Sequence, residues 1–398
     1  MVVRTAEQAG EQAAGKTVRP IIGLVAGEAS GDLLGAHLIT ALKARRPDLK
    51  FTGIAGPRMI AAGCVALFPM EKLAVRGYVE VLKHYREIVS IRRRLKQHFL
   101  SIPPAVFIGI DAPDFNLDLE LALKSATIPA IHYVSPSIWA WRGERIHKIK
   151  QAVDRVLTLF PFENALYEKA GIPASYVGPP LADMLYDYSS RETVRARLSL
   201  PQDRHVVALL PGSRVSELQS MAQLFADSAR NIAAVVPGVK FVVPLINRET
   251  RELFERAMAR TGGIDVLILN GQSHDAIAAS DVALVASGTA TLETALLQRP
   301  MVITYLMPRL SWWMMNPRRY QPYVGLPNIL AGEFVVPEFL QDAATPENLA
   351  RAIVELLTDE PHRERIRHRF SSMLDELRQN TSQKAADAVM PYLTQRAP

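Results

Sequence analysis

Among 398 residues the chain has one cysteine, Cys64. A lone thiol excludes an internal disulfide and a cysteine-based metal cage, and it points to a reducing compartment. The plain reading of Cys64 is a small buried hydrophobe. No charge-free run of about 18 or more apolar residues occurs, so no segment reads as a membrane-spanning helix. Residues 1–20 are polar and rich in Ala and Gly. They lack the apolar core of a secretory signal and read as a disordered tail. Several catalytic signatures are also missing. After the first apolar run the glycines fall at Gly27, Gly31 and Gly35, which is not the G-x-G-x-x-G dinucleotide fingerprint and argues against a nicotinamide or flavin enzyme. There is no Asp-x-Asp pair after a strand, no His-Glu-x-x-His and no Cys/His cluster, so no tightly held catalytic metal is expected. Gly-x-Ser-x-Gly and the phosphate-loop Gly-Lys-Ser/Thr are absent as well.

What is present is a globular composition, 48% hydrophobic and 22% charged, in a chain long enough for two ordinary domains. The net charge of +6 is concentrated locally. Residues 72–98 hold Lys72, Arg76, Lys83, Arg86, Arg92, Arg93, Arg94 and Lys96 against Glu80 and Glu87. Such a patch attracts nucleic acid or an anionic membrane alike, and no recognised nucleic-acid module accompanies it. Within 79–99 the apolar residues Val81, Tyr85, Ile88, Ile91, Leu95 and Phe99 recur at helical spacing. This predicts an amphipathic basic helix, packed on a sheet with a solvated cationic face or lying on a membrane surface.

Short apolar runs at 21–26, 51–55, 105–110, 130–134, 155–159 and 174–177 alternate with helical stretches at 33–46, 117–124 and 162–170. Gly178-Pro179-Pro180 breaks the series, which then resumes at 206–210, 240–244, 266–269, 282–285 and 301–305. Strands alternating with helices argue parallel doubly wound sheets. The predicted architecture is α/β, with two Rossmann-like domains facing across a cleft at the carboxyl ends of their strands. The expected division is a tail at 1–19, a first domain at 20–185, a second at 186–360, and C-terminal helices at 361–398 that could pack back on the first domain. Pro391 suits a helix stop.

The stretch 287–293, Ser-Gly-Thr-Ala-Thr-Leu-Glu, follows an apolar run and opens a helix. A glycine turn at a helix start gathers unpaired N–H groups and the positive helix end, which suits a phosphate; the competing reading is a βα turn capped by Thr289. Ser213 and Arg214 end the first strand of the second series. An arginine there forms paired N–H bonds to phosphate oxygens, so Arg214 and the Gly288–Thr289 turn make a two-sided diphosphate clamp. Glu293, one turn into its helix, suits the hydroxyls of a ribose. Asn328 lies in a Pro/Gly-rich loop at 325–332 and could equally be a self-satisfied turn residue. In the first half, Asp111 follows the run 106–110, where a general base would stand; Asp114 is the alternative, and either could simply form the turn. His132, Trp139, Trp141 and Arg142 crowd the next loop and suit a sugar or acyl surface, or core packing. Segment 305–323, with Trp312, Trp313, Arg318 and Arg319, is interfacial in character or a buried helix between domains.

In order along the chain, 27–32 (Gly-Glu-Ala-Ser-Gly-Asp), 55–59 (Ala-Gly-Pro-Arg-Met), 109–116 (Gly-Ile-Asp-Ala-Pro-Asp-Phe-Asn), 132–137 (His-Tyr-Val-Ser-Pro-Ser), 139–142 (Trp-Ala-Trp-Arg), 210–214 (Leu-Pro-Gly-Ser-Arg), 287–290 and 326–328 resemble the lipid-A-disaccharide synthase family, membrane-associated glycosyltransferases of Gram-negative bacteria. The resemblance covers all but the N-terminal tail. It implies a B-type glycosyltransferase fold (GT-B) acting without a required metal or cofactor. UDP-2,3-diacylglucosamine would be the donor substrate and 2,3-diacylglucosamine 1-phosphate the acceptor, giving the β-1,6-linked disaccharide and UDP. It implies Asp111 on the catalytic side, Glu28 and Ser30 lining the cleft, and Arg214, Glu293 and Asn328 on the UDP side. Acyl substrates give the cationic and aromatic surface a purpose, with Trp312, Trp313 and the arginine patch at 92–94 docking the protein peripherally on the cytoplasmic face of the inner membrane, and the C-terminal segment leaves room for a homodimer. Readings that compete are a UDP-sugar 2-epimerase, a glycosyltransferase of a peptidoglycan precursor, and a non-catalytic nucleotide-sugar sensor.

Overall fold

The alternation of apolar runs and helices forms two parallel sheets in a computed structural model that describes residues 20–73, 78–140, 142–262, 264–307, 312 and 322–394. In the first sheet, β1 (Ile21–Ala26), β2 (Lys50–Ala55), β3 (Cys64–Pro69), β4 (Val106–Ile110), β5 (Ala130–Tyr133), β6 (Arg155–Thr158) and β7 (Ala174–Tyr176) lie in the order β3-β2-β1-β4-β5-β6-β7. In the second, β8 (Val206–Leu210), β9 (Lys240–Leu245), β10 (Val266–Asn270), β11 (Val282–Ala286), β12 (Met301–Tyr305) and β13 (Glu338–Leu340) lie in the order β10-β9-β8-β11-β12-β13. Every pairing is parallel. Both sheets reverse strand order beside their first strand, at β1/β4 and at β8/β11, which creates two topological switch points where ligands of open parallel sheets bind.

Strands buried on both faces must be apolar throughout, and β4, β8 and β11 are buried at every position. Helices cover the faces and close two large cores, one per sheet. Burying each Leu, Ile or Phe of those cores is worth about 1.5–3 kcal/mol. Cys64 is buried at the start of β3, in the first core, and burial pushes its thiol up to about 12.

The chain crosses between sheets twice. The helix Pro180–Leu185 already belongs to the second core through Ala182 and Leu185, as does the helix Glu360–Leu377. The last helix, Thr381–Thr394, returns to the first core through Ala385, Ala386, Val389 and Leu393. The crossings abut: a Cβ on Gly178, whose φ is +84°, would lie 2.6 Å from Gln379 Cβ and 2.9 Å from the Leu377 carbonyl oxygen. Asp183 of the first crossing accepts from the backbone N–H groups of Asn380 (2.9 Å) and Thr381 (2.6 Å) in the second.

Several local expectations are corrected. The first helix runs Ala29–Arg45, so Ser30, Gly31 and Asp32 form its opening turn rather than a loop. The segment around Asn328 is a helix, Leu326–Ala331. Pro391 sits inside the final helix instead of ending it. Two strands absent from the prediction, β3 and β13, are edge strands without a continuous buried pattern. The N-terminal tail, Trp141 and most of segment 305–323, including Trp313, Arg318 and Arg319, lie outside the described residues.

Candidate active site

Apart from Asn328, the sequence-predicted site residues fall at or just past the two switch points. At β1/β4, Glu28 follows β1 and Asp111 follows β4, and the loops touch: a Cβ on Gly27 would lie 2.9 Å from Ala112 Cβ. Ser30 is exposed in the first turn of the helix that Glu28 precedes. Asp32 takes no part in this cleft; its carboxylate accepts from the N–H groups of Arg58 (2.9 Å) and Met59 (3.0 Å), holding the start of the helix Pro57–Ala61. Asp111 and Ala112 both have left-handed backbone, φ 52° and 43°. Two such non-glycine residues in succession cost about 1–2 kcal/mol each, and strain of this kind collects at functional sites. Asn116 holds the turn, its amide donating to the Asp111 carbonyl at 2.7 Å. The alternative acid, Asp114, is 84% exposed at its side chain and paired with Arg145 at 2.6 Å, which leaves Asp111 the better-positioned carboxylate.

Around this turn, Val134 also has a positive φ, 81°. Trp139 packs edge-on against Phe162 at 5.3 Å, and Ser135 shares a 2.7 Å hydrogen bond with Tyr167. Glu163 was not singled out from the sequence. Its buried carboxyl accepts from the N–H groups of Leu159 (3.0 Å) and Phe160 (2.9 Å), closing the first turn of the helix Pro161–Ala170. Burial pushes it up to about 7, against those backbone hydrogen bonds. The signal lay in Pro161 with Glu163 two residues later, a helix-start pattern.

At β8/β11, Val285 pairs in register with Leu210, so the turn 211–214 and the turn 287–289 emerge side by side. Arg214 is 57% exposed at its side chain and pairs with Glu217 at 3.1 Å. The same carboxylate accepts from the N–H groups of Ser213 (2.9 Å) and Arg214 (3.1 Å). The anion that Arg214 meets is therefore Glu217, three residues downstream, whose capping role has no counterpart in the sequence reading. An exposed pair of this kind is worth only about 0–1 kcal/mol, so Arg214 is cheaply released to another anion. Opposite, Gly288 is the cap residue of the helix Thr289–Leu296, and no side chain caps that helix; the alternative of a Thr289 cap is not what forms. Space beside Gly288 is open, since a Cβ there would meet nothing within 4 Å. Glu293 Oε2 lies 3.4 Å from both Ser273 Oγ and His274 Nε2, so its carboxylate is met by two polar neighbours from the helix Ser273–Ala279.

Asn328 departs from the expectation of direct contact. It is wholly buried. Its amide donates to the Val336 carbonyl (2.8 Å) and Glu338 Oε1 (2.9 Å), and its oxygen accepts from the N–H groups of Val335 (2.9 Å) and Val336 (3.1 Å). All four of its hydrogen-bonding positions are used. Glu338 also accepts from Val324 and Gly325 N–H, so this pair pins the segment beside β12 from inside.

Among the described residues no group of three His, Cys, Asp or Glu is arranged to hold a metal ion, and no helix is long and apolar enough to cross a membrane.

Solved structures share the architecture. The UDP-GlcNAc 2-epimerase from Neisseria meningitidis bound to UDP-GlcNAc superimposes with a TM-score of 0.61 at 13% identity, covering 94% of this chain and 99% of that one. The calicheamicin glycosyltransferase CalG4 gives 0.60 at 15% identity, covering 96% and 100%. These likenesses establish the B-type glycosyltransferase and epimerase fold. Sequence relatives go further. The lipid-A-disaccharide synthase of Methylobacillus flagellatus is 56% identical over 376 residues, 94% of this chain and 100% of the relative. That of Dechloromonas aromatica is 56% identical over 382 residues, 95% and 100%. With the lipid-A-disaccharide synthetase family model matching residues 22–391, the chain belongs to the lipid-A-disaccharide synthetase family.

Proposed function

We propose that this protein is an inverting glycosyltransferase that joins UDP-2,3-diacylglucosamine to 2,3-diacylglucosamine 1-phosphate, forming the β-1,6-linked disaccharide 1-phosphate and UDP. Family membership supports the reaction. The observation that carries the site assignment is the grouping of candidate residues at two switch points, one per sheet. The acceptor 6-hydroxyl attacks the anomeric carbon as the bond to UDP breaks, the electron pair leaving on the diphosphate and the hydroxyl proton passing to Asp111. Glu28 and Ser30 border the acceptor. Arg214, turned from Glu217, joins Ser213 and the uncapped helix start at Gly288 and Thr289 in stabilising the charge that develops on the diphosphate. Glu293 takes the ribose hydroxyls, and Asn328 acts by positioning. The charge stabilisation comes from the protein's own groups, without a resident metal.

Both substrates are acylated, so the site works beside a membrane. The helix Tyr78–Ser101 buries Ile91, Leu95 and Phe99. Arg92 turns inward to Asp118 at 2.5 Å, and Arg94 lies over the Phe68 ring at 5.0 Å. Arg86, Arg93 and Lys96 are left on the solvent side. We assign the docking face to these three, with peripheral attachment at the cytoplasmic side of the inner membrane.

Incubating the protein with both substrates tests the reading: disaccharide by mass spectrometry with acceptor-dependent UDP release is expected. Sugar conversion without acceptor would replace it with an epimerase, and saturable UDP binding without turnover would favour a sensor.

A further inference from the structure

Beneath Asp111 lies a buried acid–imidazole pair that the reaction above does not use. His132 of β5 stands in register with Gly109 of β4. Glu120, on the helix Pro113–Lys124 above that strand, meets it with Oε1 2.7 Å from Nδ1, and neither side chain is exposed at all. Gly109 interrupts an otherwise branched and aromatic strand because a Cβ there would lie 2.1 Å from Glu120 Oε1 and 2.8 Å from Asn116 Cβ. The glycine is the gap through which the helix lowers a carboxylate onto the sheet.

Stability does not account for this cluster. Among the described residues His132 Nε2, Glu120 Oε2 and Asn116 Oδ1 are buried without a hydrogen-bond partner. Each such atom costs about 1–3 kcal/mol, and apolar residues of similar volume often replace a buried ion pair at no loss. The cluster is instead tied to the strained turn. Asn116, one helical turn before Glu120, donates to the Asp111 carbonyl at 2.7 Å and to that of Ile110 at 3.4 Å. Electrostatics makes the same connection. Burial opposes a charge on His132, but the Glu120 carboxylate, its hydrogen bond and the charge of Asp111 together hold the imidazole above its ordinary range. Glu120 itself is raised by burial, against the pull of His132. The charged groups acting on His132 thus come from the helix above it, Glu120, and from the end of β4, Asp111.

We propose that Glu120 and His132 are positioning residues for the base: Glu120 orients the buried imidazole one strand from Asp111, whose backbone N–H donates to the carbonyl of the neighbouring Tyr133 at 2.8 Å, and the imidazole favours the ionised carboxylate that takes the acceptor proton. This rests on the reading of Asp111 as the base. The pair touches no substrate, and the proton stops at Asp111.

Two measurements on the full-length protein test it. In ring-15N-histidine protein, the His132 signal is the one lost in His132→Gln. Its titration midpoint should lie above about 6.5, the ordinary histidine value, and fall in both Asp111→Asn and Glu120→Gln. Asp111→Asn changes a partly exposed residue and leaves the buried pair intact, so a midpoint unmoved in that variant overturns the proposal. In kinetics, His132→Gln and Glu120→Gln should move the acidic limb of the kcat/KM profile upward by about one pH unit. That is roughly tenfold slower turnover on the limb, with the alkaline plateau and the KM for the UDP-sugar near wild type. A purely structural pair would lower Tm and leave the limb in place, which also overturns the proposal. If wild type forms no disaccharide while Asp111→Asn still moves the His132 midpoint, the functional reading fails and the coupling stands.

Discussion

Asp111 combines a left-handed backbone with a place at a switch point, and its chemistry is open to direct test. Asp111→Asn keeps the shape and the turn, so folding should be unchanged while kcat falls about 10²–10⁴-fold, the usual contribution of a general base; single-turnover product formation measures it. Glu163 makes a different prediction, in stability. Its folded-state value of about 7 is raised by burial above that of an ordinary carboxyl. A raised acid contributes stability that is complete below its unfolded pKa and is lost as pH rises through the folded one. Each unit of displacement is worth about 1.4 kcal/mol. Denaturation of wild type and Glu163→Gln from pH 4 to 8 should therefore show the wild-type advantage shrinking between about pH 4.5 and 7. A difference independent of pH would contradict the assignment.

At the scale of elements, β4 and the helix Pro113–Lys124 act as one unit, because Gly109 lets Glu120 and Asn116 approach the strand. Gly109→Ala should cost about 1–3 kcal/mol as an overpacked core position and lower kcat more than it alters the KM for UDP-sugar, since the strain lands on the Asp111 turn; urea unfolding with steady-state kinetics reads both. In the second domain the Asn328–Glu338 pair pins the segment beside β12 from within. Asn328→Ala should raise the UDP Kd while leaving the pH profile of kcat unchanged, and calorimetric titration with UDP decides it.

Over the whole molecule, two abutting crossings tie the sheets together, and the last helix belongs to the first core. Ending the chain after residue 379 should expose the face of the helix Ala29–Arg45 on which the last helix packs and unfold the first domain at a lower temperature, seen by calorimetry as loss of one transition. Surface charge acts on the same scale. A Lys or Arg near an anionic membrane is worth about 1 kcal/mol, so replacing Arg86, Arg93 and Lys96 by Ser should reduce flotation with anionic vesicles by about 100-fold at low salt. Neutral vesicles should not distinguish the two proteins.

The sequence by itself determined the strand–helix alternation, the two-sheet division and the placing of Asp111, Arg214 and Gly288 just past strand ends, with Glu293 one turn into the helix that follows, because buried parallel strands must be continuously apolar and their loops must carry the polar chemistry. Only the tertiary structure decided which polar residues face outward. Asn328 and His132 look as available as Arg214 in the sequence, yet both are buried and bonded to partners supplied by other elements. Glu217 pairs with the Arg214 guanidinium that the loop motif alone offers to a phosphate, and it caps the backbone N–H groups of the same turn. Hydrogen-bond partners brought together from separate elements leave no periodic trace along the chain. Edge strands such as β3 and β13 are equally silent, because one-sided pairing imposes no buried pattern on their side chains.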